Sequence, residues 1–145
     1  MDLIKLEGVG PVYKDKLTAA GVTSVEDLLA KGAKPKGRAA LAQATGISGA
    51  RILSWVNMAD LVRVKGVGEE YSELLHAAGV DTVVELSKRV PSKLHAKIVE
   101  TAAQKKLVRA VPTAAQKKLV RAVPTLAQVE KWVAAAKTMS RKVEY

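Results

Sequence analysis

The feature that most constrains this chain is a repeat at a constant offset of 58 residues. Residues 3–30 read LIKLEGVGPVYKDKLTAAGVTSVEDLLA, and residues 61–88 read LVRVKGVGEEYSELLHAAGVDTVVELSK. Gly8-Val9-Gly10 matches Gly66-Val67-Gly68, Tyr13 matches Tyr71, and Leu17 matches Leu75. Ala19-Ala20-Gly21-Val22 matches Ala77-Ala78-Gly79-Val80, and Ser24 and Asp27 match Thr82 and Glu85. Self-similarity of this kind means a supersecondary unit used more than once.

Each copy carries the same local physics. A short apolar segment ends at Gly-Val-Gly, where the two glycines permit a tight turn with positive φ and the valine can anchor the turn in a core. A helix follows, with apolar positions at Val12, Leu17 and Ala20, or at Leu74, Leu75 and Ala78. Gly21 or Gly79 closes it as a C-cap. Ser24-x-x-Asp27 resembles a capping box with Asp in place of Glu, and Thr82-x-x-Glu85 has the full pattern; each opens another short helix.

A second kind of turn follows each copy. In residues 41–56, LAQATGISGARILSWV, Gly46-Ile47-Ser48 stands where Gly-Val-Gly stood, with Ser48 placed to cap the next helix. The matching place in the second half is Val123-Pro124-Thr125, which has lost its glycines and breaks the chain with Pro and Thr. Trp55-Val56 and Trp132-Val133 fall at equal distances after these turns. The expected fold is therefore all-α, with about ten helices in two similar halves of two hairpins each. The halves are residues 1–60 and 61–145. Trp55, Trp132, Tyr13 and Tyr71 recur at equivalent places in the two halves and are expected as core anchors, in a core that is otherwise aliphatic because the chain has no Phe.

Another repeat differs in kind. Residues 102–113 and 114–125 both read AAQKKLVRAVPT. The older repeat has diverged heavily and this one not at all, so a recent or engineered tandem duplication is the simplest account. It is expected to behave as an insertion tolerated at a helix end. The expected form is a helix ending near Ala110, a break at Val111-Pro112-Thr113 and an added short helix over residues 114–122. An added helix exposing Leu119 and Val120 could pair with a second molecule, which leaves monomer and domain-swapped dimer both open.

The GVGP and GVG turns with their flanking helices resemble helix-hairpin-helix DNA-binding modules. Nearly the whole chain resembles a bacterial family of unknown function built from tandem helix-hairpin-helix units. The pieces that carry this are LEGVGPVYKDKLTAAGV, LAQATGIS, ILSWVNMADLVRVKGVG and VPTLAQVEKWV. The resemblance implies hairpins at helix N-termini whose backbone N–H groups approach DNA phosphates, positioning the protein without reading sequence. Carried onto this chain, the phosphate-binding residues are Gly8, Gly10, Gly46, Ser48, Lys5, Lys14 and Arg51. The third hairpin departs from the pattern, because Glu69 and Glu70 follow Gly68 and repel phosphate. Glu7 is unhelpful beside the first hairpin, and Pro124 lacks an N–H at the fourth. The second hairpin is the cleanest, with Ser48, Gly49 and Arg51 and no acid nearby.

Charge supports a polyanionic partner. The net charge is +10, with eight Lys/Arg against six Asp/Glu in residues 1–60 and sixteen against eight in 61–145. Lys117, Lys118 and Arg121 of the second twelve-residue copy supply three of those charges. Lys93, Lys97, Lys105, Lys106 and Arg109 form a possible basic helix over Leu94, Ile98, Leu107 and Val108. The expected function is non-sequence-specific binding of double-stranded DNA. The alternative is a structural or protein-interaction helix-hairpin-helix module, with a protein partner and no DNA binding.

Other classes find little support. The chain has no Cys, which excludes disulfides and thiolate metal sites. His76 and His95 fall in different helices without ligand spacing, so no metal is expected. Lys14, Asp15 and Lys16 stand roughly where helix-hairpin-helix glycosylases carry catalytic groups, but no base-sized pocket or second catalytic domain can be identified in so short a sequence. No catalytic residue and no cofactor are expected. No stretch approaches the ~18 apolar residues of a membrane span, and the N-terminus lacks a signal-peptide run, so a cytoplasmic location is expected.

Overall fold

A computed structural model describes the backbone of residues 1–108 and 123–145 and the side chains of 1–104 and 123–145. Among these residues the chain forms a 3-10 turn at Leu3–Lys5 and eight α-helices, with no strand. The first half comprises α1 (Pro11–Ala19), α2 (Val25–Gly32), α3 (Pro35–Thr45) and α4 (Gly49–Leu61). The second comprises α5 (Glu69–Ala77), α6 (Val83–Ser87), α7 (Pro91–Val108) and α8 (Leu126–Lys137). The expected break at 111–113 and added helix over 114–122 lie outside the described residues, as do Leu107, Val108 and Leu119 as side chains. None of the described helices is long and apolar enough to cross a membrane.

The 58-residue offset persists in the backbone. Gly8 and Gly66 turn with φ of +88° and +91°, and Gly21 and Gly79 with +89° and +92°. The second glycine of each turn, Gly10 or Gly68, is extended and does not take the expected positive φ, because it already serves as the N-cap of the next helix. Val9 and Val67, between the turn glycines, are both buried. The Val9 N–H donates to the Leu6 carbonyl at 3.1 Å, and the Val67 N–H to the Val64 carbonyl at 3.0 Å. After α1 and α5 the chain closes with Val22 N–H on the Leu17 carbonyl and Val80 N–H on the Leu75 carbonyl, each at 2.9 Å. Basic side chains then tie the next helix to the cap: Lys31 donates to the Gly21 carbonyl and Arg89, 58 residues on, to that of Gly79.

Each half has its own hydrophobic cluster. Leu17, Val22, Leu28, Ile52, Trp55 and Val56 belong to the first, and Leu75, Val80, Leu86, Leu94, Trp132 and Val133 to the second. In the first, α2 and α3 pack on α4; in the second, α6 and α7 pack on α8. Helix α4 serves both, since Met58 and Ala59 face the first cluster and Leu61 the second. The aromatic anchors sit where expected: Tyr13 meets Trp55 edge-on at 5.3 Å, and Tyr71 meets Trp132 at 4.9 Å.

Two local expectations are corrected. Val12 is 66% exposed, so it is no core position. It lies in the first turn of α1, and among described residues that helix buries only Leu17. The second correction is at α6. Thr82 accepts the Glu85 N–H, but the Glu85 carboxylate reaches Arg89 at 3.1 Å. The reciprocal capping box forms instead at α8, where Thr125 accepts the Gln128 N–H and the Gln128 side chain accepts the Thr125 N–H.

The chain ends by crossing back. Val143, beyond α8, is buried in the first cluster. The Glu144 N–H donates to the Ala33 carbonyl at 2.7 Å, and Tyr145 Oη donates to Asn57 Oδ1 at 3.2 Å. Buried Arg38 donates to the carbonyls of Gly32, Ala33 and Glu144. Three acceptors compensate the desolvation of its guanidinium. Arg63 holds the same strap at the Ser140 carbonyl and pairs with buried Asp60 at 2.7 Å.

Candidate functional site

A side chain from the first turn of α4 reaches the first turn of α1. Arg51, in the first turn of α4, lies over the Tyr13 ring at 5.1 Å, and Tyr13 is in the first turn of α1. Beneath this contact, a Cβ added to Gly8 would meet Trp55 Nε1 at 3.3 Å, so the glycine turn lies directly on the α4 indole. The structure thus brings Gly8, Gly10 and Arg51 into one neighbourhood through Tyr13 and Trp55. Gly10 is the N-cap of α1 and offers no side chain to its free amides. Space beyond Gly10, Gly46 and Gly49 is open. Neither helix has an acidic residue in its first turn. Unsatisfied amides, the positive end of the dipole and a held guanidinium together favour an anion.

Other residues of the expected set are placed as follows. Gly46 ends α3 with φ of +72°, and Ser48 caps α4 by accepting the Arg51 N–H at 3.2 Å. Lys14 is ion-paired with Asp2 at 3.1 Å. The Ile4 N–H, followed by Lys14, holds the Asp2 carboxyl below the usual aspartate range. Asp2 thus competes with any phosphate for Lys14. Lys5 lines a groove of about 480 Å³ with Gly66, Gly68, Glu69, Glu70 and Tyr71, beside the third turn. On α7, Lys93 and Lys97 are exposed while Leu94 and Ile98 are buried beneath. Lys105 and Lys106 fall at the end of that helix, with side chains outside the described residues, and Arg109 lies outside them altogether.

The second half repeats the geometry with different chemistry. Tyr71 and Trp132 stand where Tyr13 and Trp55 stand, and a Cβ on Gly66 would meet Trp132 Nε1 at 3.1 Å. At the place of Arg51 is Gln128, whose side chain is used in the α8 capping box. At the places of Pro11 and Val12 are Glu69 and Glu70, and at that of Lys14 is Ser72, buried and donating to the Glu69 carbonyl. One paired N-terminus carries a cation and the other two carboxylates.

Two features had no clear signal in the sequence. His76 Nε2 lies 3.1 Å from Ser54 Oγ and joins α5 to α4. His95 Nε2 lies 2.9 Å from the Pro124 carbonyl and pins the fourth turn to α7. Histidines at such separations from their partners cannot be paired from spacing alone.

The fold and the two unequal sites define a small, internally repeated, all-helical domain. Residues 7–139 match the model of a domain of unknown function, DUF4332, and the chain belongs to that family. No curated protein and no solved structure matches it.

Proposed function

We propose that this protein binds double-stranded DNA through its phosphate backbone, without sequence selectivity, and that the four turns are the hairpins of tandem helix-hairpin-helix units. The observation that carries the reading is Arg51 over Tyr13, a side-chain contact between the first turns of two helices that carry no first-turn acid. A phosphate there would accept N–H groups from α1 and α4 and face a guanidinium already held in place. The net charge of +10 adds long-range attraction. Glu69 and Glu70 make the second pair unsuited to phosphate, which supports reading it as structural or as a surface for a protein partner.

The test is an electrophoretic shift with random-sequence duplex at two salt concentrations. With about three phosphates engaged, an about fourfold rise in salt lowers affinity about 40-fold, whatever the sequence. Glu69→Ala leaves binding unchanged or improves it. Absence of a shift at low salt would favour the protein-interaction reading.

A further inference from the structure

A cleft of about 480 Å³ opens on the first half, away from the residues of the proposed phosphate site. Its walls come from α2, the end of α4 and the returning strap. The apolar lining is Val25, Leu29, Ala30, Ala33, Ala59 and Val62. Three alanines among these six leave the room that larger side chains would fill. The volume lies within the usual range for small-molecule sites, which are mostly apolar with a few polar groups at the edge.

The rim carries Glu26, Arg63 and Lys142. Two of these charges are already matched. Glu26 receives the terminal ammonium of Met1 at 2.9 Å on both oxygens. Arg63 is paired with Asp60 at 2.7 Å and also donates to the Ser140 carbonyl. Lys142 is exposed and has no ion pair among the described residues. Among the described residues, the uncompensated charge at the mouth is therefore a single cation above an aliphatic floor. No aromatic ring lines the cleft, so it offers no stacking surface for a base.

From this arrangement we infer that the cleft binds an aliphatic monocarboxylate, with the chain on the alanine-rich floor and the carboxylate at Lys142. The strap supplies Lys142 and is held in register by Arg38 and Val143, so the head-group contact depends on the docked strap. This reading is independent of DNA binding.

Calorimetric titration of the full chain with decanoate, decylamine and decanol tests it. Decanoate binds one per chain and competes with shorter acids, whose affinity rises about fourfold per added methylene, as burial of each group requires. Decylamine binds at least about tenfold more weakly, since it meets Lys142 with a like charge. Lys142→Glu reverses the order of the two head groups. Ala30→Leu fills the cleft from an exposed position and abolishes binding of every chain, with the fold checked by circular dichroism. If Ala30→Leu fails to fold, the head-group reversal in Lys142→Glu still decides. No saturable binding, or equal binding of decanoate and decylamine, overturns the inference.

Discussion

A single methyl group distinguishes the turn glycines from one another. At Gly8 and Gly66 the backbone has φ of +88° and +91°, and an added Cβ would press on an indole nitrogen. Gly8→Ala and Gly66→Ala should each cost about 2 kcal/mol, from left-handed strain plus crowding. Gly10→Ala sits in extended backbone with open space and should cost about 0.5 kcal/mol. Urea unfolding of the three variants checks this, and equal costs would mean the turns are not the constrained element. Asp27 offers a second residue-level test. The Thr23 N–H and then its hydroxyl hold the Asp27 carboxyl below its ordinary value of 3.8. A lowered folded-state pKa contributes stability that is present above the ordinary value and lost as pH falls through the folded one. Thermal unfolding across that acidic window should therefore show less pH dependence in Asp27→Asn than in wild type. The turn glycines were legible because two copies at one offset expose the same requirement twice. Val12 was misread because apolar character alone does not say which way a residue in the first helical turn faces.

Helices here are held by caps and by the buried Arg38, and these differ in how well they show in the sequence. Ser24, Ser48, Thr82 and Thr125 all accept the N–H three residues on, as their spacing implied for most of them. The second arm of a capping box is less predictable, because a Glu at that place can choose another partner. Glu85 chose Arg89. Arg38 could not have been found from the chain, since one of its acceptors lies 106 residues away. Its replacement by Met keeps the aliphatic stem and removes the hydrogen bonds to Gly32, Ala33 and Glu144. Arg38→Met should cost about 3 kcal/mol and release residues 140–145 to limited proteolysis. A variant that stays resistant there would show that Val143 and the contacts of Ser140, Glu144 and Tyr145 hold the strap without Arg38.

At the scale of the molecule, two halves built alike carry unlike charges. The repeat was legible in the sequence, and so was the pair of first-turn acids, Glu69 and Glu70, that sets the second half apart. That Arg51 would meet Tyr13 was not, because the contact joins two units whose relative placement depends on the Trp55 packing beneath. The twelve-residue repeat bears on this scale as well. From His95 to Val108 helix α7 runs about 20 Å, while His95 holds the carbonyl of Pro124. Deleting residues 114–125 would put Pro112 in that place, four residues from Val108 and at most about 14 Å from it. The shortened chain should stay folded only by unwinding the last turns of α7, giving a cooperative melt with fewer helical residues. A deletion variant that does not fold would make the repeated segment part of the core. In the proposed function, the first pair of helix N-termini grips phosphate and the second does not. Fluorescence anisotropy with a labelled random duplex tests it through one substitution in each half. Arg51→Gln and Gln128→Glu occupy equivalent positions and change the charge by the same amount, and Glu preserves the α8 cap. Arg51→Gln should bind about tenfold more weakly with a salt slope reduced by about one, and Gln128→Glu should change little. Equal losses in the two variants would contradict it, because binding would then follow net charge and not the site.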